Sequence, residues 1–325
     1  MLIERGITRD LLRGSGWRRV RRGFYVPAAA GRVGGGQALT TTQRILDASA
    51  GLAGDAVFGT WAAAYVLGND WMDGRDPHTM AELPVDIIAG RLRRVQRGDV
   101  TFRFTDLADD DLLVRDGLRV TTACRTAFDG ARWADALEDA VVFIDSMLHL
   151  RALDLPAFVA YLGAHQHWAG IEQARRAAEL SMPDVRSPWE SRLRMCWLLG
   201  AGLPMPLVNV PLFDESENFL GMGDLFDPES GLIAEFDGDQ HRDPEQHRLD
   251  NIREEKLESA NLVVVRSDRT DLRRHRPQLV GRLQSGHRRG MRRDRAQDTW
   301  TLRQPAWWKR RQSGLVGASA RNLNV

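Results

Sequence analysis

Phe219-Leu-Gly-Met-Gly-Asp-Leu-Phe-Asp-Pro-Glu-Ser-Gly-Leu-Ile-Ala-Glu-Phe-Asp-Gly238 reads as two short apolar strands around a turn at Pro228-Glu229-Ser230-Gly231. If those residues form the loop, Asp227 pairs with Leu232, and counting back sets Asp224 directly opposite Glu235. Side chains alternate along a strand, so Asp237 shares the face of Glu235. Opposed residues of an antiparallel pair have Cβ atoms roughly 4.5–5.5 Å apart, where like charges destabilise. Carboxylates gathered on an otherwise apolar hairpin call for a positive charge, and the hairpin has no lysine of its own. A divalent cation with oxygen ligands, Mg²⁺ or Mn²⁺, meets that need.

The flanking sequence builds a domain around this hairpin. Ser187-Pro188-Trp189-Glu190 fits a helix start, with Ser at the N-cap, Pro at the first helical position and Glu at the third. Leu193, Trp197 and Leu198 give that helix an apolar face, and Gly200 or Gly202 ends it. Residues 207–213 form a strand, a second helix runs from Asp243-Pro244 to about Ala260, and Leu262 to Arg266 is a buried strand. The order helix, three strands, helix, strand predicts an α/β core with a short mixed sheet. Residues 284–325 are basic, carry Trp300, Trp307 and Trp308, and read as a tail that is at least partly disordered.

The front half has a different texture. Thr8 caps a short helix that Gly14-Ser15-Gly16 breaks, and residues 17–26 alternate like a two-stranded wing carrying Arg18, Arg19, Arg21 and Arg22. Residues 29–37 read as a Gly- and Ala-rich linker. Residues 40–69 read as helical. Strands follow at 84–89, 100–104 and 118–122, then helices at 123–133, 135–150, 155–163 and 168–180. No constellation of catalytic residues stands out in this middle region.

Composition narrows the classes. The chain's 325 residues suffice for about two domains, and hydrophobic and charged fractions of 43% and 27% are those of an ordinary globular protein. A net charge of +1 gives no global steering, so attraction to nucleic acid would rest on local patches. Such patches occur near the start and at Arg288, Arg289, Arg292, Arg293 and Arg295. The two cysteines, Cys124 and Cys196, have no CxxC spacing, which argues against a zinc ribbon, a disulfide framework or a thioredoxin-type site. No apolar run approaches the ~18 residues of a membrane span and no signal-peptide core opens the chain, so the expected compartment is the cytoplasm.

Two resemblances follow from these motifs. The stretch Gly16-Trp17-Arg18-Arg19-Val20 through Gly23-Phe24-Tyr25-Val26-Pro27 resembles the truncated winged helix-turn-helix at the head of AbiEi-type antitoxins, and residues 38–182 resemble the region that follows it there, with Gly59 where that family often shows a His. Ser187 to Arg194, Gly202-Leu203-Pro204, Asp224, Glu235-Phe236-Asp237-Gly238, His241 and the helix bearing Asp250 and Arg253 resemble domain-of-unknown-function family 559. That family is related to very-short-patch-repair endonucleases of the PD-(D/E)XK superfamily. The implied architecture is a partial winged-helix module (1–28), an α+β middle region (38–182), a restriction-endonuclease-like α/β domain with a central mixed sheet (185–283) and a basic tail (284–325).

The second resemblance assigns roles. Asp224 matches the first metal-binding aspartate, Glu235 the (D/E) position, and Asp237 stands where a lysine usually does. His241 is then the candidate for moving a proton near neutral pH. Glu190 is a possible third metal ligand, although a helix start of this kind places a Glu there for capping alone. Arg253 or Lys256 would face a phosphate. The implied activity is Mg²⁺-dependent cleavage of DNA in repair or phage defence. The alternatives are a DNA-binding, antitoxin-like regulator with a silent nuclease fold and a toxin partner, and an interaction scaffold. Oligomeric state is not legible.

Overall fold

In the computed structural model, which describes residues 7–32, 38–52, 56–89, 98–238 and 244–311, the chain divides into two units, Met1–Ser181 and Met182–Val325. In the first unit Thr8 Oγ1 accepts the Leu11 N–H and opens α1 (Arg9–Arg13). The alternating Arg/aromatic stretch forms the expected wing, β1 (Trp17–Arg21) antiparallel to β2 (Phe24–Pro27).

The stretch expected to be helical from 40 to 69 is divided. Helix α2 (Thr41–Ser49) stops before Gly51, whose φ of 70° is left-handed backbone that glycine adopts at no steric cost. The buried β3 (Val57–Phe58) follows, then α3 (Thr60–Val66). Strands β4 (Val85–Ala89), β5 (Val100–Phe104), β6 (Leu112–Arg115) and β7 (Leu118–Thr121) complete a five-stranded mixed sheet ordered β5-β4-β3-β7-β6. Strand β6, absent from the sequence reading, is joined to β7 by Asp116-Gly117 with φ of 51° and 75°. Positive φ at both central residues is the hairpin geometry for which Asp-Gly is a strong signal.

Helices α4 (Ala123–Arg132), α5 (Leu137–His149), α6 (Leu155–Ala164) and α7 (Ile171–Leu180) form where the apolar periodicity places them. A buried ionic network ties them to the sheet. Arg125 donates to Asp111 and to Asp129, both at 2.8 Å, Arg132 donates to Asp129 at 2.8 Å, and the Tyr161 hydroxyl donates to Asp111 at 2.8 Å. Every member of the network has a partner, which a buried charge requires.

In the second unit, Ser187 Oγ accepts the Glu190 N–H at 3.1 Å and starts α8 (Pro188–Met195), which widens into one π turn at Cys196–Gly200. Strands β8 (Leu207–Asp214), β9 (Phe219–Asp227) and β10 (Leu232–Phe236) form an antiparallel meander. Helix α9 (Pro244–Ser259) then crosses to β11 (Val263–Ser267), which runs parallel to β10. A parallel neighbour requires such a crossover. Helices α10 (Arg269–Arg274) and α11 (Arg276–Met291) follow, and β12 (Trp300–Thr301) joins β8, giving the sheet order β11-β10-β9-β8-β12. One apolar cluster centres on the fully buried Trp197 with Leu225, Ala234 and Leu279, and another joins Phe226 and Ile233 to Leu257. The chain is therefore a mixed α/β protein with a helical region and two five-stranded mixed sheets.

The expected tail is a correction. Residues 284–291 are the second half of α11, and Gly290 passes so close to the Ser230 carbonyl that an added Cβ would lie 1.9 Å from it. Trp308, 9% exposed, stacks on Phe219 at 4.9 Å and meets Phe213 edge-on at 5.4 Å. Arg293, counted among the basic patch, bridges Asp298 at 2.9 Å and donates to the Glu229 carbonyl at 2.7 Å. The apolar payload of the tryptophans outweighs the basic composition that pointed to disorder. Residues 312–325 lie outside the described residues.

Candidate acidic site on the second sheet

The register follows from the four-residue turn Pro228–Gly231: Leu232 pairs with Asp227, Ile233 with Phe226 and Ala234 with Leu225. Gly231, at a φ of 64°, supplies the left-handed residue that closes the loop. The pairing ends there, and Asp224 and Glu235 are the next residue on each strand. There the Phe236 N–H donates to Asp224 Oδ2 at 2.8 Å. The neighbouring strands extend the row. Asn209 falls opposite Asp224, between the pairs Val208–Leu225 and Val210–Gly223, and Arg266 is the parallel partner of Glu235. Asn209, at a φ of 51°, Asp224, Glu235 and Arg266 therefore form a polar rung where the ladders of β8, β9 and β10 are interrupted, at the edge of two apolar clusters.

Helices close on this rung from both sides. From α9, Arg253 donates to Glu235 Oε1 at 2.5 Å and to the Met222 carbonyl at 2.6 Å. Gly221 makes the approach possible, since a Cβ there would lie 2.9 Å from Arg253 Nε. Arg266 adds a second guanidinium 3.7 Å from Glu235 Oε2 and also pairs with Glu254 at 3.3 Å. From α8, Glu190 Oε2 accepts the Arg186 N–H at 2.9 Å and Asn209 Nδ2 at 2.8 Å. Glu190 thus bonds the residue before the N-cap rather than the N-cap itself, so the reciprocal capping box does not form, and it lends a negative charge to the rung.

Electrostatics single out Asp224. Burial raises its carboxyl, the Phe236 N–H pulls it back, and Glu190 and Glu235 push it further, to about 7. Arg253 offsets only part of this, because its guanidinium is engaged by Glu235. The outcome is a carboxyl poised near neutrality beside two other acids. Desolvation and like charge both disfavour its ionised form, and a cation would restore it.

One expectation is corrected by this geometry. The compensating charge that seemed absent from the hairpin is supplied to Glu235 by Arg253 and Arg266, from the following helix and strand. Arg253, expected to face a phosphate, is the ion-pair partner of Glu235 in this structure. Lys256 is exposed on α9, one turn past Arg253. Asp237 follows β10, donates its N–H to the Ser267 carbonyl at 2.7 Å, and borders a recess of 80 Å³ with Glu235, Phe236, Arg253 and Arg266. Asp224, Glu190, Glu235 and Asp237 are thus gathered at one end of the sheet, but among the described residues no group of three acidic, His or Cys side chains is arranged to hold a metal ion. His241 lies outside the described residues.

Sequence reading missed Arg266, Asn209 and the surroundings of Trp189. The Trp189 ring stacks on Phe236 at 5.6 Å with planes 7° apart, and the guanidiniums of Arg269 and Arg273 lie 5.1 and 5.7 Å from its centroid. The signal for Arg266 was present, as a charge ending an otherwise apolar strand. The signal for Trp189 was not, because its contacts come from a helix about eighty residues later in sequence.

The predicted wing arginines separate into two groups. Arg18 pairs with Asp47, and Arg21 donates to the Ala48 carbonyl at 2.9 Å and pairs with Asp99 at 3.3 Å. Arg19 and Arg22 are exposed. Comparison with protein-family models, curated proteins and solved structures returned no match for this chain. Among the described residues no helix is long and apolar enough to cross a membrane.

Proposed function

We propose that the second unit is a divalent-cation-dependent phosphodiesterase acting on DNA, with a restriction-endonuclease-like fold of the kind its resemblance to family 559 implies. The observation that carries this is Asp224: a carboxyl raised to about 7 on one strand, next in register to Glu235 on its neighbour, in a mixed sheet whose chain order is helix, three strands, helix, strand. The donors are oxygens only, which suits Mg²⁺ or Mn²⁺. Mg²⁺ keeps several waters and binds through one or two carboxylates plus substrate phosphate, so a pair of acids is an adequate donor set. Asp224 and Glu235 would hold it, with Glu190 close enough to add charge. Bound there, the cation would polarise a phosphoryl oxygen and lower the pKa of a water.

The chain's own groups do the remaining work. Arg253 and Arg266, now paired with Glu235, are the cations available to a phosphate oxygen once Glu235 has another partner. Asp237 occupies the position where a lysine would hold water in related enzymes. Its carboxylate is suited to accept a proton rather than to donate positive charge.

A second reading has its own support. The Arg253–Glu235 contact at 2.5 Å already satisfies the more buried acid. A silent, DNA-reading unit of an antitoxin-like regulator, with a toxin as protein partner, would use the same fold with this pair permanently closed. Supercoiled plasmid incubated with the purified protein and Mg²⁺ or Mn²⁺ separates the readings. Nicking that disappears in both Asp224→Ala and Glu235→Ala supports the phosphodiesterase. Salt-sensitive DNA binding without nicking, lost on replacing Arg19 and Arg22, supports the regulator. Nicking that persists in both acid variants removes this site from consideration.

A further inference from the structure

The first unit contains a cleft of 640 Å³ that the reading above does not use. Strand β1 supplies Arg18, Arg19 and Arg21, helix α2 supplies Arg44, and the residues before β4 and β5 close the far side. Val20, Leu39, Leu83, Pro84 and Val85 give it an apolar floor. The volume lies within the range of small-molecule sites.

The arginines are bound unevenly. Arg18 spends Nη1 on Asp47, while its Nε and Nη2 are buried with no hydrogen-bond partner among the described residues. Those two nitrogens form one edge of the guanidinium, the edge that grips an oxoanion with two parallel N–H bonds. Arg21 uses Nη2 on the Asp47 and Ala48 carbonyls and on Asp99, and its Nε is likewise buried and unpaired. A buried guanidinium donor without an acceptor is costly, and native proteins keep such groups rare. Both side chains line the cleft and keep 22% and 15% of their surface exposed.

Charge in the lining favours an anion. Four arginines face three carboxylates, and each carboxylate already has a partner: Asp47 has Arg18 and Gln43, Glu82 has Arg44 at 3.6 Å, and Asp99 has Arg21. Three unspent donor nitrogens from two adjacent guanidiniums match the three terminal oxygens of a phosphomonoester better than the two of a carboxylate. We propose that this cleft is a binding site for a phosphorylated small molecule of nucleotide size, its phosphate held by Arg18 and Arg21 and its body along Val20, Leu83 and Pro84. This assignment is independent of the acidic site in the second unit.

The test is calorimetric and ³¹P NMR titration of the full chain in EDTA with inorganic phosphate, pyrophosphate and AMP. AMP is expected to bind saturably at one site, with the same affinity in Asp224→Ala, which separates this site from the acidic one. Arg18→Lys keeps a cation for Asp47 but loses the Nε/Nη2 edge, and should weaken AMP about tenfold, the worth of one or two charge-assisted hydrogen bonds. Arg21→Lys removes a single unpaired donor and is the second variant should Arg18→Lys unfold by circular dichroism. Absence of saturable binding by all three probes at millimolar concentration overturns the proposal, as does unchanged AMP affinity in the folded variants. Displacement of AMP by a short DNA duplex also overturns it, by making the arginines backbone contacts.

Discussion

Asp224 offers the most direct physical test, because its ionisation should penalise the fold. With its carboxyl at about 7 in the native protein and at the ordinary aspartate value of 3.8 when unfolded, the native state holds the proton more tightly. The stabilising difference is therefore complete below pH 3.8 and is lost as pH rises through 7. Between pH 5 and pH 8 the full shift corresponds to about 2.5 kcal/mol lost by the wild type, and about half that after allowing for solvent around a half-buried carboxylate. Asp224→Asn cannot ionise and keeps an oxygen for the Phe236 N–H, so it should gain this much on the wild type across that range. Urea unfolding of both proteins at pH 5, 6, 7 and 8 in EDTA reads the difference, with all other titrating groups cancelling. The two units can unfold in separate transitions, so the one to follow is the transition that also moves in Trp308→Ala, which lies in the second unit. Excess Mg²⁺ at pH 8 should then restore stability to the wild type alone, by about 2.7 kcal/mol at a hundredfold excess over the dissociation constant. A wild-type-to-variant difference that stays flat between pH 5 and pH 8 would falsify the assignment of Asp224 as a carboxyl held in neutral form.

Other outcomes follow from the same geometry. Glu235→Gln leaves Arg253 and Arg266 without their carboxylate and should cost about 1–3 kcal/mol in urea unfolding, less than a fully buried pair because Arg253 is 34% exposed. A neutral result would mean the pair closes only loosely. Trp308→Ala should cost about 3 kcal/mol and lower the melting temperature of the second unit, because Trp308 packs on Phe213 and Phe219; a disordered tail would tolerate the change. Asp129→Asn strips one carboxylate from the buried Arg125 and Arg132 and should destabilise the first unit by about 3–5 kcal/mol, visible as a lost or early transition in calorimetry.

Local chemistry was readable in the chain. Ser187-Pro188-Trp189-Glu190 starts a helix because its cap, proline and glutamate act within one turn, and Pro228–Gly231 sets the register of its hairpin because side chains repeat every two residues. The helices from Ala123 to Leu180 form where their apolar spacing puts them. Readings failed where composition competed with packing. An Arg-rich segment with three tryptophans reads as a tail, yet Trp308 buries against Phe213 of β8 and Phe219 of β9 and Trp300 packs on Phe226. A run of helix formers concealed the two-residue strand Val57–Phe58, too short for any periodicity to register. The acidic site divides in the same way. The approach of Asp224 to Glu235 depends only on a turn and a count. Pairing Glu235 with Arg253 needs the α9 crossover, a glycine at 221 to admit the guanidinium, and β11 alongside. Which charge answers which depends on distances in space between elements far apart in the chain, and sequence spacing carries no record of those distances.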